Sequence, residues 1–316
     1  MIPIESLTNG RFKSIPIICG PTASGKSALA MSVCRETGGE LCSMDSMQIY
    51  RNMDIGTAKP TLEEQRLVRH HLIDIADPAD NYNTALYRNA ALESIRDCLG
   101  RGVLPVFCGG TGQYASALSQ GITFAPVEID PDLHESLLRE SEEGGIQSLY
   151  EELVSVDPKS AEKIHPNNRK RVIRALEIYR QTEKTMDYFN SISKKDGPVY
   201  PFSLFAINMD REQLYRRMDE RVDRMLEDGL LEEVIRLRKD GLNRSHTAMQ
   251  AIGYKELYEY LEGNIPLADA AALIKQKTRN YGKRQLTWFR SMENVKWIEP
   301  QDVTSVLKAI TNSKIL

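Results

Sequence analysis

The sequence predicts an α/β protein in which a parallel sheet is flanked by helices and is interrupted by an all-helical insertion domain. Short apolar segments alternate with helical patterns in the first and last thirds of the chain, as in parallel sheets with helices on both faces. The first apolar segment leads directly into a glycine-rich loop. The central part has helix starts but no convincing strand pattern.

Four apolar segments are predicted to form the core strands. The first, Ile15 to Cys19, ends at a glycine, and a helical pattern follows it from Lys26 to about Cys34. The other three are Glu40 to Met44, Val103 to Cys108, and Ser203 to Met209. A late segment, Lys296 to Ile298, is a fifth candidate.

The stretch from about Val127 to Lys195 breaks this alternation and is predicted to be helical. Its helix starts, Asp130-Pro131 and Asp157-Pro158, place a capping residue before a proline at the first helical position. We therefore predict a catalytic core at 1–120 and 200–316, with a helical insertion at 121–199 between the third and fourth strands. After the insertion, Asp210 with Gln213 opens a long amphipathic helix.

The composition limits the classes of function. The net charge is −3 over 316 residues, so a surface for nucleic acid must be a local basic patch. No apolar run has membrane-spanning length, and Met1 to Ser14 lack the hydrophobic stretch of a signal peptide. The five cysteines contain no CxxC pair, which indicates free thiols in a reducing compartment. We expect a cytoplasmic monomer with no membrane partner.

The adjacent histidines His70 and His71 are a weak metal candidate. Neighbouring residues do not share one face of a helix or strand, and no cysteine or other histidine stands near them in the sequence. We therefore predict no metal site at this pair.

A phosphate-binding loop follows the first strand and makes the sheet P-loop NTPase-like. The pattern G-x-x-x-x-G-K-[ST] is matched by Gly20, Pro21, Thr22, Ala23, Ser24, Gly25, Lys26 and Ser27. Its glycines allow a tight turn whose N–H groups point at phosphate oxygens, and the helix after it adds a positive dipole end. Lys26 supplies a point charge, and Ser27 offers its hydroxyl to a bound Mg²⁺.

The residues after the second and third strands bear on the reaction, because ligands of such sheets bind beyond the carboxyl ends of the strands. Kinases and ATPases need an acid at a nearby strand end, and the third strand runs into Cys108 to Thr111 without one. Asp45 follows the second strand and suits either a proton acceptor or a helix N-cap. Thr111 adds a hydroxyl to a glycine turn, although a plain strand-to-helix turn is the simpler explanation.

Nine segments together resemble the bacterial tRNA dimethylallyltransferase family, also called tRNA isopentenyltransferases. They extend from about Pro16 to Arg290 in a specific order and spacing. The segments are Gly20 to Ser27, Asp45 to Tyr50, Asp54 to Pro60, His70 to Asp74, Gly109 to Gly112, His165 to Asn168, Arg221 to Leu226, Ala251 to Glu256, and Lys283 to Trp288.

The resemblance implies a reaction. A dimethylallyl group would pass from dimethylallyl diphosphate to N6 of the adenine adjacent to the anticodon of tRNA. The phosphate-binding loop would hold the donor diphosphate with Mg²⁺, and Asp45 would be the general base. Thr111 would lie at the reacting centre, and Arg221 would reach the diphosphate.

The same resemblance implies contacts with tRNA, including contacts from the helical insertion. They fall at Asp45, Ser46, Met47 and Gln48, and at Lys170, Arg171, Val172, Ile173 and Arg174. Four positions depart from the family. His134 stands where an arginine thought to touch tRNA is usual, and Lys170 stands where glutamine is usual. Gln113 replaces a common leucine, and Gly282 replaces a common alanine.

Two basic stripes are further candidates for binding the anticodon stem-loop. Lys275, Arg279 and Lys283 recur every four residues on one predicted helix face, and Arg284 follows them. The second stripe is Arg169 to Arg174, which contains no acid. Basic stripes attract phosphate backbones, and this pair suits a clamp around a stem-loop. A solvated helix face is the simpler explanation of one stripe alone.

Three alternative functions remain open at the level of sequence. A prenyltransferase acting on free adenine nucleotides would need neither the insertion nor the basic stripes. A P-loop small-molecule kinase is disfavoured by the missing acid at the strand end. A non-catalytic P-loop RNA-binding module would keep its RNA affinity when Asp45 is replaced, whereas an enzyme would lose activity.

Overall fold

The protein is represented by a computed structural model that describes residues 8–123, 130–193, 195 and 197–312. The described residues form one six-stranded sheet, with strand order β3-β2-β4-β1-β5-β6 and parallel pairing throughout. The strands are β1 Ile15–Cys19, β2 Glu40–Ser43, β3 His70–His71, β4 Pro105–Gly109, β5 Phe202–Ile207 and β6 Val295–Ile298. The predicted parallel α/β sheet is confirmed.

The burial of the central strands explains why their apolar segments could be recognised in the sequence. Every residue of β1 and β4 is buried, as expected for parallel strands covered by helices on both faces. The predicted strands differ from the observed ones by one or two residues at their ends, where assignments vary. Lys296 to Ile298, the weakest candidate, belongs to the edge strand β6.

The strand β3 was not predicted. It consists of two half-buried histidines that pair with Leu41 and Cys42 of β2 at the edge of the sheet. Two residues are too short to show an alternating pattern, so only the pairing with β2 identifies them as a strand.

Fourteen α-helices accompany the sheet within the described residues. They are α1 Lys26–Thr37, α2 Leu62–Leu67, α3 Thr84–Gly100, α4 Gly112–Ser119, α5 Pro131–Glu143, α6 Gly145–Val156, α7 Pro158–Ala161, α8 Arg169–Thr182, α9 Met186–Ile192, α10 Arg211–Glu227, α11 Leu230–Lys239, α12 Tyr254–Leu261, α13 Leu267–Ser291 and α14 Val303–Ile310. None of these helices is long and apolar enough to cross a membrane.

The chain divides into two compact units, residues 1–119 with 199–316, and residues 120–198. The described part of the second unit is helical, as predicted, and α5, α6 and α8 enclose its core. Asp130 caps α5 and Asp157 caps α7, each followed by proline, so both predicted helix starts are confirmed. The start of the predicted helical stretch, at Val127, lies outside the described residues.

Two long helices of the first unit, α10 and α13, pack against each other. Asp210 caps α10 by accepting hydrogen bonds from two backbone N–H groups of its first turn. Leu214, Met218 and Val222 of α10 are buried, as their helical spacing predicts. The opposite charges of the two helices also meet, since Arg279 of α13 binds Asp219 of α10. This pairing presents α10 and α13 beside the phosphate-binding loop.

Candidate active site

The phosphate-binding loop connects β1 to α1 at the carboxyl end of the sheet. Gly25 has φ 92°, a left-handed conformation that favours glycine, immediately before the first residue of α1. The ammonium group of Lys26 donates to the backbone carbonyl of Pro21 at 3.3 Å, and the Ser27 side chain is exposed. The loop therefore presents a cation and a hydroxyl at the N-terminus of a helix, which is a favourable place for phosphate.

Two side chains from the later helices hold this loop. Nη1 of Arg221, on α10, donates to the hydroxyl of Thr22 at 3.1 Å. Oε1 of Gln285, on α13, accepts from the backbone N–H of Thr22 at 3.0 Å. The same Gln285 donates through Nε2 to the carbonyl of Gly110 at 2.8 Å. Sequence analysis anticipated Arg221 but missed Gln285.

The end of β2 is tied to the turn after β4 through Thr111. Its hydroxyl accepts from the backbone N–H of Ser46 at 3.0 Å, and its own N–H donates to the carbonyl of Met44 at 3.2 Å. The approach is so close that a Cβ on Gly109 would lie 2.0 Å from the Met44 carbonyl oxygen. Glycine at 109 therefore allows the segment containing Asp45 to contact the Thr111 turn.

The carboxylate of Asp45 stabilises a turn and also faces a cavity. Its Oδ1 accepts from the backbone N–H of Met47 at 2.9 Å. No helix begins at this point, so the alternative reading of Asp45 as a helix N-cap is wrong. Asp45, Ser46 and Met47 line the cavity, whereas the Gln48 side chain donates to the carbonyls of Thr57 and Ala58.

Two adjoining cavities meet at this site. The first, of about 750 Å³, has more cationic than acidic side chains in its lining, and Lys59 is paired with two of the acids. The cations are Lys26, Lys59, Arg217, Arg221 and Arg224, the acids are Asp54, Asp74 and Asp228, and Ser27 adds a hydroxyl. The second, of about 310 Å³, contains Asp45 and the apolar side chains Val222, Met225, Leu230, Ile252 and Ile274. Lys26, Ala58, Arg221 and Met225 line both cavities, so the two cavities meet at these four residues, and Lys26 and Arg221 are the charged ones among them.

The electrostatics follow from this arrangement. Burial lowers the pKa of the Lys26 ammonium; the nearby positive charge of Arg221 acts in the same direction, and Asp45 opposes it. Burial likewise lowers the pKa of Arg221, and Asp45 again opposes the shift. An anion bound between the two cations would compensate for the cost of holding them together.

Tyr281 is a further cavity residue that the sequence analysis missed. It lines the second cavity with Asp45, and burial, followed by the charge of Asp45, raises the pKa of its hydroxyl. Tyr281 therefore stays protonated and can donate a hydrogen bond. It precedes Gln285 by four residues on α13, so both side chains lie on one helix face. The four-residue spacing between Tyr281 and Gln285 was the sequence feature that could have identified Tyr281.

Some cations of the basic stripe on α13 already bind acidic side chains of the same chain. The Lys275 ammonium lies 2.6 Å from a carboxylate oxygen of Asp223, and the Arg279 guanidinium binds both carboxylate oxygens of Asp219 at 2.5 and 2.7 Å. Lys283 and Arg284 are exposed, and Arg284 lines the second cavity. Packing against α10 thus gives two of the predicted RNA-binding cations a partner within the chain.

The predicted tRNA-contacting residues of the insertion unit differ in how exposed their side chains are. The side chains of Lys170 and Arg171 are exposed. Val172 and Ile173 are buried in the core of this unit, so their predicted contact with tRNA, which stays a prediction, would fall to their backbone atoms. His134 and Arg174 both bind the carboxylate of Glu177, which is itself buried. The helical period of α8 turns the apolar positions inward.

Comparisons with family models and with curated relatives give one consistent result. Residues 48–292 match the model described as IPP transferase, and residues 13–79 match the model described as isopentenyl transferase. A tRNA dimethylallyltransferase of Acetivibrio thermocellus is 45% identical over 301 residues, covering 95% of this chain and 96% of the relative. One of Bacillus velezensis is 44% identical, covering 94% and 95%.

Solved structures give the same picture. A tRNA isopentenylpyrophosphate transferase from Bacillus halodurans superposes with a TM-score of 0.69 at 40% identity, covering 93% of this chain and 94% of that chain. A eukaryotic dimethylallyltransferase, described as acting on tRNA, superposes with a TM-score of 0.77 at 30% identity, covering 92% and 75%.

Proposed function

This chain belongs to the IPP transferase family, and we propose that it transfers a dimethylallyl group from dimethylallyl diphosphate to N6 of the adenine adjacent to the anticodon in tRNA. The observation that carries the proposal is the meeting of two cavities at Lys26 and Arg221. One cavity is cationic and suits a diphosphate. The other holds the carboxylate of Asp45 and an apolar wall.

The cations are placed where charge would develop. When the carbon–oxygen bond of the donor breaks, the electron pair stays with the diphosphate, which leaves as an anion. Lys26, Arg221 and the backbone N–H groups of the loop stabilise the negative charge that builds up on the leaving diphosphate. The carbon left behind carries positive charge until the adenine nitrogen donates an electron pair to it. The new bond forms between this carbon and the adenine nitrogen.

Asp45 is the proposed general base. The adenine amine is a weak nucleophile that must lose a proton as it forms a bond to carbon, and a carboxylate can accept that proton. The backbone N–H of Met47 fixes Oδ1. Thr111 holds the neighbouring N–H of Ser46, so it positions the segment that carries Asp45.

Mg²⁺ fits the residues around the loop. This ion keeps several waters and is usually held by one or two protein oxygens together with substrate phosphates. The exposed hydroxyl of Ser27, beside the cationic cavity, is a suitable protein ligand. When bound, Mg²⁺ would neutralise part of the charge on the diphosphate.

The apolar wall of the second cavity suits the prenyl group. Val222 and Met225 lie on α10 within one turn of Arg221, and Ile274 faces them from α13. A five-carbon group bound here loses its contact with water while its diphosphate remains with the cations. The amphipathic donor thus matches the division between the two cavities.

Each of the two units carries residues that we propose to contact tRNA. In the first unit they include Asp45 to Gln48, with Lys283 and Arg284 available for phosphates. In the insertion they include the exposed Lys170 and Arg171, while His134 and Arg174 share Glu177. We also propose that the enzyme acts as a monomer.

The proposal is tested by incubating unmodified tRNA with the protein, Mg²⁺ and dimethylallyl diphosphate, and analysing the nucleosides by mass spectrometry. We expect N6-dimethylallyl-adenosine in the anticodon loop, and far slower formation of it with the Asp45→Asn variant. A folded protein that leaves a range of tRNAs unmodified would contradict the proposal.

A further inference from the structure

A second group of polar side chains lies at the other end of β2. Glu40 begins β2, His71 ends β3, and Asp97 and Cys98 belong to the last turns of α3. One ligand atom of each residue lies within 4.8 Å of those of the other three. No local pattern predicts this group, because His71 and Cys98 are 27 positions apart in the chain. Asp45 follows the opposite end of β2, so this cluster is separate from the active site.

The distances within the cluster approach those of a metal site. Sγ of Cys98 lies 3.6 Å from Nε2 of His71 and 3.6 Å from Oε2 of Glu40. In tetrahedral zinc sites, bonds of about 2.0 to 2.3 Å place ligand atoms roughly 3.3 to 3.6 Å apart. The His71 to Glu40 distance, 2.6 Å, is a hydrogen bond that would lengthen by less than about 1 Å on metal binding.

A cation already lies among these atoms. Nη2 of Arg101 is 2.6 Å from Oε2 of Glu40, 2.8 Å from Oδ2 of Asp97 and 3.7 Å from Sγ of Cys98. The Arg101 side chain is 36% exposed, so it can turn toward solvent without disturbing the core. The cluster is therefore arranged around a positive charge. The guanidinium group that now supplies this charge can move away into solvent.

We infer that Glu40, His71, Asp97 and Cys98 form a binding site for Zn²⁺, and that Arg101 occupies the position of the metal in its absence. A thiolate and an imidazole select Zn²⁺ over Mg²⁺, which prefers oxygen ligands. Zinc binding would release the thiol proton of Cys98 and move the Arg101 guanidinium outward. Two carboxylates and one thiolate would then balance Zn²⁺ and the nearby Arg101.

The expected role is structural. The metal would join β2, the two-residue strand β3 and the end of α3, which otherwise meet through hydrogen bonds and packing. Metal binding to the folded state alone raises the melting temperature, because the unfolded chain has no preformed site. Neither the proposed reaction nor its Mg²⁺ is involved, so the two proposals succeed or fail separately.

Cobalt(II) is the probe for this site, because a cysteine thiolate bound to it gives a charge-transfer band in the near ultraviolet. Metal-free wild-type protein should develop this band on titration, and added Zn²⁺ should abolish it. Cys98→Ser should lose the band, whereas Cys34→Ser, a buried cysteine outside the cluster, should keep it. Absence of the band from wild-type protein, or its loss in Cys34→Ser alone, would overturn the inference.

Arg101→Gln tests the exchange of cations and changes an exposed residue, so the variant should fold. We expect at least roughly two- to fivefold tighter cobalt binding, because Arg101→Gln removes the partly exposed ion pairs of Arg101 with Glu40 and Asp97. Weaker or unchanged binding would show that Arg101 and the metal do not compete. Thermal melting with Zn²⁺ and with chelator gives a second readout: wild-type protein should be stabilised by Zn²⁺, and His71→Gln should not.

Discussion

Gln285 accepts a hydrogen bond from the backbone N–H of Thr22 at 3.0 Å, although the two residues are 263 positions apart. The same buried amide donates to the carbonyl of Gly110 at 2.8 Å. One side chain of α13 thus fixes the phosphate-binding loop relative to the turn that carries Thr111. The geometry of the active site depends on this late helix as much as on the sheet.

Replacing Gln285 should therefore impair the loop. Gln285→Met removes both hydrogen bonds and leaves a buried N–H and a buried carbonyl unpaired, at a cost of about 1 to 3 kcal/mol each. We expect weaker binding of inorganic diphosphate in calorimetry and a higher KM for the donor. Gln276→Met, at an exposed position of the same helix, is the matched control. Equal diphosphate affinity in both variants would contradict the role of Gln285.

Asp45→Asn should separate chemistry from donor binding. The amide oxygen of the new side chain can still accept from the N–H of Met47, so the turn should persist. We expect turnover to fall by about 10²- to 10⁴-fold, the usual contribution of a general base, with little change in donor affinity. Single-turnover kinetics with saturating tRNA measures the step. Turnover within about twofold of wild type would exclude Asp45 as the base.

The pH dependence of kcat/KM and kcat should reveal the ionisation of the Lys26 ammonium group. Burial lowers the pKa of its ammonium in the free enzyme below the ordinary 10.5, so the cation is lost at a lower pH than usual. We expect kcat/KM for the donor to decline as pH rises toward 10.5. At saturating donor the bound diphosphate favours the charged lysine, so the decline in kcat should occur at higher pH. Coincident declines in the two profiles would argue against this assignment.

Lys283→Ala and Lys275→Ala form a matched pair on α13. Lys283 is exposed, whereas the Lys275 ammonium already lies 2.6 Å from Asp223. We expect Lys283→Ala to weaken tRNA binding and to reduce the slope of log K against log salt by about 0.7 to 0.9, as for one lost phosphate contact. Lys275→Ala should change this slope less. An unaltered slope in the Lys283 variant would make that residue part of a solvated face.

Glu233 should stabilise the loop that lines both cavities. Its buried carboxylate accepts from the backbone N–H groups of Asp54, Ile55 and Gly56, at 2.9, 2.9 and 3.2 Å. Glu233→Gln replaces one acceptor oxygen by a donor, so at least one N–H loses its partner, at a cost of about 1 to 3 kcal/mol. Urea unfolding measures the change. Glu232→Gln, a neighbouring residue on α11, is the control.

Features of this protein that depend on short-range patterns could be predicted from its amino-acid sequence. A few neighbouring residues are enough to predict such features. They include the apolar segments of β1 and β4, the glycine-rich loop, and the capped helix starts at Asp130 and Asp157. Asp45 and Thr111 could be placed near the loop because parallel strands bring their carboxyl ends to one edge. The tRNA substrate came from resemblance rather than from any local pattern.

Tertiary structure alone decided the contacts between distant segments. A helical period says which side of α13 is buried, but not that Gln285 meets Thr22 or that Arg279 meets Asp219. The burial of Val172 and Ile173, next to the exposed Arg171, follows from the rotation of α8 against its neighbours. The proximity of Cys98 to His71 likewise depends on where α3 ends beside a two-residue strand. Side-chain partners are fixed by the packing of whole elements, and that packing is set by many weak contacts between residues far apart in the chain.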